Sequence, residues 1–133
     1  MKVEGRCHCG EITYEAIVDP EKVTICYCTD CQMLTGSAYR ATVPAPKETF
    51  SLRAGQPKTY VKTSESGTQR VHAFCSSCGT PIYSAALADP PTYSLRVGCL
   101  RQRANLRPTK QQWCRSALSW AMNLETIPQL DRQ

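Results

Sequence analysis

No stretch of this 133-residue chain stays apolar for the roughly 20 residues a membrane-spanning helix needs. The opening Met1-Lys2-Val3-Glu4-Gly5-Arg6 lacks the apolar core of a secretory leader. Internal repeats, low-complexity tracts and linkers are also missing. Together with length, these absences predict one domain over residues 1–133, soluble and cytoplasmic, small enough to gain from a metal staple. Acidic residues are absent from Pro90 to Leu124, where Arg96, Arg101, Arg103, Arg107, Lys110 and Arg115 fall. That side suits an anionic ligand, although scattered arginines on a solvated face give the same pattern. A basic tail is lacking, which speaks against nucleic acid as a partner.

Cysteine, in contrast, is plentiful: nine residues, odd in number. Seven are grouped as Cys7-x-Cys9, Cys26-x-Cys28-x-x-Cys31 and Cys75-x-x-Cys78. Such spacings are too tight for a disulfide framework and natural for chelation by reduced thiols. Seven ionised thiols and two zinc ions would bring the formal charge of +5 to about +2.

The pattern is mainly β. Arg6 to Gly10 suits an extended segment that points Cys7 and Cys9 to one face, and Glu11 to Val18 alternates Ile12, Tyr14 and Ala16 against Thr13 and Glu15. Val23–Cys26, Ala38–Val43 (stopped by Pro44 and Pro46), Phe50–Leu52, Pro81–Ala85 and Tyr93–Val97 read as strands. Lys58–Lys62 and Gln69–Phe74 read as a hairpin around Ser64, Ser66 and Gly67. A short helix capped by Thr29 and Asp30 runs to Leu34 and stops at Gly36. Trp113, Ala117, Trp120, Ala121 and Leu124 fit one face of a final helix ended by Pro128, with a strand followed by a single turn as the alternative.

Cys75-Ser76-Ser77-Cys78-Gly79 has the form of a zinc knuckle, and Cys7 with Cys9 can complete it to four thiolates. Iron-sulfur is the lesser alternative for such a set. The remaining Cys26, Cys28 and Cys31 are one ligand short of a closed tetrahedron. Two readings stand: an open site, or a structural site closed by Cys99, Cys114, His8 or His72.

Arg6-Cys7-His8-Cys9-Gly10, the Cys26/Cys28/Cys31 trio followed by Thr35-Gly36, Phe74-Cys75-Ser76-Ser77-Cys78-Gly79-Thr80-Pro81, Leu95-Arg96-Val97-Gly98, and Trp113 with Trp120 and Pro128 together resemble the glutathione-dependent formaldehyde-activating enzyme family, which includes centromere protein V. The resemblance runs from about Gly5 to Gln129. It implies a β-tent fold of small antiparallel sheets, a structural zinc on Cys7, Cys9, Cys75 and Cys78, and a labile zinc on Cys26, Cys28 and Cys31. It also implies glutathione as co-substrate and carbon-sulfur lyase chemistry of the S-(hydroxymethyl)glutathione synthase type. Tyr27, Gln32 and Gly98-Cys99-Leu100-Arg101 depart from the family's usual His, Arg and Gly-Thr-Leu-Asp, which bears on the substrate.

An open zinc position would hold a glutathione thiol as thiolate, a nucleophile for formaldehyde or a related aldehyde. Cys26, Cys28 and Cys31 are then the catalytic ligands. Tyr27 can donate to the developing alkoxide or simply pack, and Arg96 or Arg101 can bind glutathione carboxylates. The competing readings are a non-catalytic zinc module for a macromolecular partner and a thiol redox or metal-buffering protein.

Overall fold

The computed structural model describes residues 1–133 as two β-sheets packed face to face. Strands β1 (Lys2–Arg6), β2 (Thr13–Ile17) and β5 (Ser51–Ala54) form a three-stranded antiparallel sheet in the order β1-β2-β5. The larger sheet holds β3 (Thr24–Cys26), β4 (Arg40–Pro46), β6 (Lys58–Thr63), β7 (Gln69–Phe74), β8 (Pro81–Ala86), β9 (Thr92–Arg96) and β10 (Lys110–Gln112). Its order is β10-β3-β4-β9-β8-β7-β6, antiparallel except for the β10–β3 pair. One helix, α1 (Thr29–Thr35), follows β3. No helix is long and apolar enough to cross a membrane.

Period-two alternation decides which face of each sheet is dry. Ile12, Tyr14, Ala16 and Val18, the apolar phase expected of this segment, are buried against Val43, Ala45, Leu95 and Ile82. Phe50 is the pivot of the interface, its ring centroid 5.5 Å from Tyr14, 5.5 Å from Tyr83 and 4.9 Å from Tyr93. Large rings bridging the two sheets supply much of the apolar area that stabilises so small a core.

Four expectations change. Cys7 and Cys9 lie in a tight turn after β1, not a strand: the Gly10 amide bonds the Cys7 carbonyl at 3.1 Å, and Gly10 has φ +84°. Strand β4 continues through Pro44 to Pro46, because β3 begins only at Thr24, opposite Thr42, and leaves β4 an edge beyond it, where proline is tolerated. The α1 cap is the Cys28 sulfur, which accepts from the Cys31 amide at 3.3 Å, while Gly36 ends the helix in the left-handed region as expected. The Trp113 segment is not an α-helix. Trp113 is itself left-handed (φ 56°), and after β10 the chain makes single 3-10 turns at Cys114–Ser116 and Ser119–Met122. Its apolar stripe has no buried surface to lie on: Trp113, Trp120 and Leu124 are all exposed.

Candidate functional site

The turn after β1 and the turn between β7 and β8 bring Cys7, Cys9, Cys75 and Cys78 together, with all four sulfurs within 4.8 Å of one another. The Cys7–Cys9 and Cys9–Cys75 sulfur separations are 3.5 and 3.8 Å. A tetrahedron of Zn–S bonds has edges of about 3.8 Å, so the donor set and its spacing fit zinc. Local backbone builds the pocket: the Gly79 amide bonds the Cys75 carbonyl at 2.8 Å, and the Ile12 amide points at the Cys7 sulfur at 3.2 Å. Thr80's hydroxyl and the amides of Cys9 and Thr80 hold the Cys78 thiol down at about 5. For Cys9 the Glu11 amide favours the thiolate, but sharing protons with Cys7, Cys78 and Cys75 pushes the thiol up to about 12.

Cys26 at the end of β3, Cys28 at the helix cap and Cys31 in the first turn of α1 form a second group, again within 4.8 Å. No other Cys, His, Asp or Glu shares that space. Cys99 donates to the Pro81 carbonyl at 3.1 Å, its thiol pushed up to about 11 by burial. Cys114 and His8 are exposed, and the His8 amide bonds Thr80 beside the four-sulfur group. His72 stands on β7. The trio therefore offers three sulfurs and no fourth. Burial opposes ionisation of Cys28, yet hydrogen bonds from the Cys31 side chain and amide and from Cys26, together with Lys62, hold its thiol below the usual range. Burial, with proton sharing with Cys28, pushes Cys31 up to about 12.

The face of the larger sheet beneath this trio is polar. Register puts Cys26 opposite Arg40, Thr42 opposite Arg96, Ser94 opposite Ser84, Ser84 opposite His72, and His72 opposite Tyr60. Thr42, Ser84, His72 and Arg96 are nonetheless buried. Helix α1 reaches across this face: its Asp30 pairs with Lys62 of β6, the edge strand five steps from β3, at 2.6 Å. A cavity of about 430 Å³ opens between α1 and β6–β9, lined by Leu34, Tyr60, His72, Phe74, Pro81 and Arg96 among others. Crowded cations mark it. His72 is held down at about 4 by burial and by Arg96, Arg40, Lys62 and Arg70, and Arg96 is lowered to about 10 by burial and Arg40.

Of the two arginines singled out for carboxylate binding, Arg96 is here; Arg101 is exposed and paired with Glu4 at 3.0 Å on the smaller sheet. Tyr27 is packed, edge-on to Tyr39 at 5.8 Å, and its hydroxyl is committed to Gln111 at 2.8 Å. Gln32 clamps the loop, donating to the carbonyls of Tyr27 at 2.7 Å and Ser116 at 3.1 Å. Sequence reasoning missed Arg40, Arg70, His72 and Ser84 as members of this face. Their signal was present in the alternation of Arg70 and His72 along β7, but it identifies a face only once the strand order is known.

The family described as "Glutathione-dependent formaldehyde-activating enzyme" matches residues 2–116. Over 82 residues the chain is 32% identical to an uncharacterized lyase of Schizosaccharomyces pombe, a match covering 62% of this chain and 56% of that protein. The chain thus spans little more than half of that relative. A Rhodobacter sphaeroides protein of known crystal structure superposes with a TM-score of 0.63 over 84% of this chain and 99% of its own, at 21% identity, a likeness of fold.

Proposed function

Because this chain belongs to the glutathione-dependent formaldehyde-activating enzyme family, we propose that it is a zinc-dependent carbon-sulfur lyase acting on adducts of glutathione with a small aldehyde, formaldehyde included. The observation that carries this reading is the incomplete sulfur trio beside a walled cavity. Cys7, Cys9, Cys75 and Cys78 would hold a structural zinc, and Cys26, Cys28 and Cys31 a labile one. Zinc bound by the trio would supply a free coordination position at which a thiol is held ionised at neutral pH.

The chain's own residues do the rest. The short helix α1 sets Cys28 and Cys31 on one end, with the Cys31 amide directed at the Cys28 sulfur. Leu34, Tyr60, Phe74 and Pro81 wall the adjoining cavity, which limits water around the reacting carbonyl. In the forward direction the glutathione sulfur bonds to the carbonyl carbon while the carbonyl oxygen takes a proton, giving a hemithioacetal; the lyase direction reverses both steps. Tyr27 is not the proton donor on this reading, because its hydroxyl is engaged by Gln111. The S. pombe relative's name, a lyase, supports the reaction class.

Cobalt substitution tests the proposal. Adding glutathione to the cobalt-loaded protein should shift the thiolate charge-transfer bands toward a four-sulfur spectrum, with S-methylglutathione giving no shift. A spectrum that ignores glutathione, or that already shows four thiolates at the trio and loses one on Cys99→Ser, would end the lyase reading.

A further inference from the structure

Five buried side-chain nitrogen or oxygen atoms in the molecule lack a hydrogen-bond partner. Four of them, Arg40 Nε, His72 Nδ1, and Arg96 Nε and Nη1, belong to the face beside the trio. Leaving such groups unmade in the interior costs on the order of 1–3 kcal/mol each, more when charged. Concentrated in one place, such groups mark a site made for a partner. The local charge count says what kind. None of Arg40, Arg70 and Arg96 is in an ion pair, and Asp30 of α1 is taken by Lys62. The trio loaded with zinc carries one net negative charge, three thiolates against a divalent ion. A thiolate in the fourth position adds one more. Three guanidinium groups still exceed that by one. Buried Arg96, 6% exposed, and His72, 8% exposed, both line the cavity of about 430 Å³. The guanidinium of Arg40 is anchored by Ser84 at 3.2 Å, leaving its Nε free.

We propose that Arg40, Arg96 and His72 form an anion subsite that takes a carboxylate of the substrate next to the sulfur trio, so that the reacting compound is held by this charge as well as by its sulfur. Unpaired guanidinium N–H groups match a planar carboxylate in geometry and charge. The apolar wall of Leu34, Phe74 and Pro81 makes the same ion pair stronger than at the surface. A cleft beside the smaller sheet gives the contrast. That cleft, about 510 Å³, also contains arginines, but Arg53 pairs with Glu15 at 2.7 Å and Arg101 with Glu4 at 3.0 Å, Arg6 and Arg103 donate to backbone carbonyls, and none of the four leaves a buried donor unmet. The inference rests on the lyase reading only for what reacts at the trio. The carboxylate itself has two sources, the thiol partner or the carbonyl compound.

The test uses the zinc-loaded full chain with arginine side chains labelled for NMR. Acetate, titrated against chloride at equal ionic strength, should shift the Nε–Hε resonances of Arg96 and Arg40 saturably. Arg96→Lys should weaken acetate about tenfold or more, and His72→Gln, a milder change that keeps the sheet register, should weaken it several-fold. Displacement of acetate by S-methylglutathione assigns the carboxylate to the thiol partner. Displacement by glyoxylate, with S-methylglutathione ineffective, assigns it to the carbonyl compound. Shifts matched by chloride, or an Arg96→Lys protein that folds and binds acetate like the parent, would overturn the subsite and leave the arginines as counter-charges to the sulfurs. The two proposals fail separately. Acetate shifts with no cobalt response to glutathione remove the lyase and keep the subsite, and the reverse result does the opposite.

Discussion

His72 is a residue held in a state its surroundings dictate. Ser84 and Tyr60 flank it on neighbouring strands, Arg96, Arg40, Lys62 and Arg70 surround it with positive charge, and its imidazole falls from 6.5 to about 4. A folded chain that refuses a proton which the unfolded chain accepts loses stability as pH falls from about 6.5 toward 4, and the loss is complete below the folded value. Allowing for solvent at the cavity mouth, the contribution that disappears between pH 7 and pH 5 is about 1–2 kcal/mol. Urea unfolding of parent and His72→Gln proteins, compared at each pH, should show the parent's relative stability declining by that amount. A difference that stays constant with pH would mean that the imidazole protonates as freely folded as unfolded.

At the scale of elements, the pairing of β1 with β2 depends on one glycine. Gly5 stands opposite Tyr14, and a Cβ there would lie 2.1 Å from the tyrosine ring carbon Cζ. Tyr14 is 1% exposed and packed at a tilt against Phe50, so the ring has nowhere to go. Gly5→Ala should cost about 3 kcal/mol through overpacking, seen as a lower urea midpoint with the far-UV circular dichroism preserved. A neutral substitution would mean that the Tyr14–Phe50 packing can be rebuilt. Helix α1 is held differently. Its seven residues are too few for independent stability, and the Lys62–Asp30 pair, the Cys28 cap and the Gly36 stop fix it across the polar face.

For the whole molecule, the two sulfur groups have different structural reach. Cys7 and Cys9 are joined to Cys75 and Cys78 across a long loop, and both Cys7 and Cys75 are fully buried. Metal bound there would couple the smaller sheet to the β7–β8 turn, so its binding free energy becomes folding free energy. Cys26, Cys28 and Cys31 lie within six residues and close almost no loop. Cys75→Ser should leave the chain largely unfolded, whereas Cys28→Ser should fold and bind one metal equivalent fewer, as read by circular dichroism and metal analysis. Chelator titration of the parent should remove one equivalent while the fold persists. A Cys75→Ser protein as stable as the parent would refute a structural role for the four-sulfur group.

Covalent spacing alone made several features legible. Residues two or three apart cannot separate far, so Cys26, Cys28 and Cys31, or Cys75 and Cys78, had to converge, and the alternation through Ile12, Tyr14 and Ala16 had to bury one phase. The grouping of the distant Cys7/Cys9 and Cys75/Cys78 pairs was open to reading from donor number, and the structure brings the same four together. Strands β1 and β10 left little local trace, because one is half exposed and the other wholly so, their existence resting on partners β2 and β3. The final helix failed for the complementary reason: Trp113, Trp120 and Leu124 have helical spacing, but no core surface receives them. Of the basic face, only Arg96 was singled out beforehand as a carboxylate binder. Arg40, His72, Ser84 and Arg96 come from four strands adjacent in the order β4-β9-β8-β7, and only tertiary pairing, which sets that order and its register, decides that their side chains meet beside the sulfur trio.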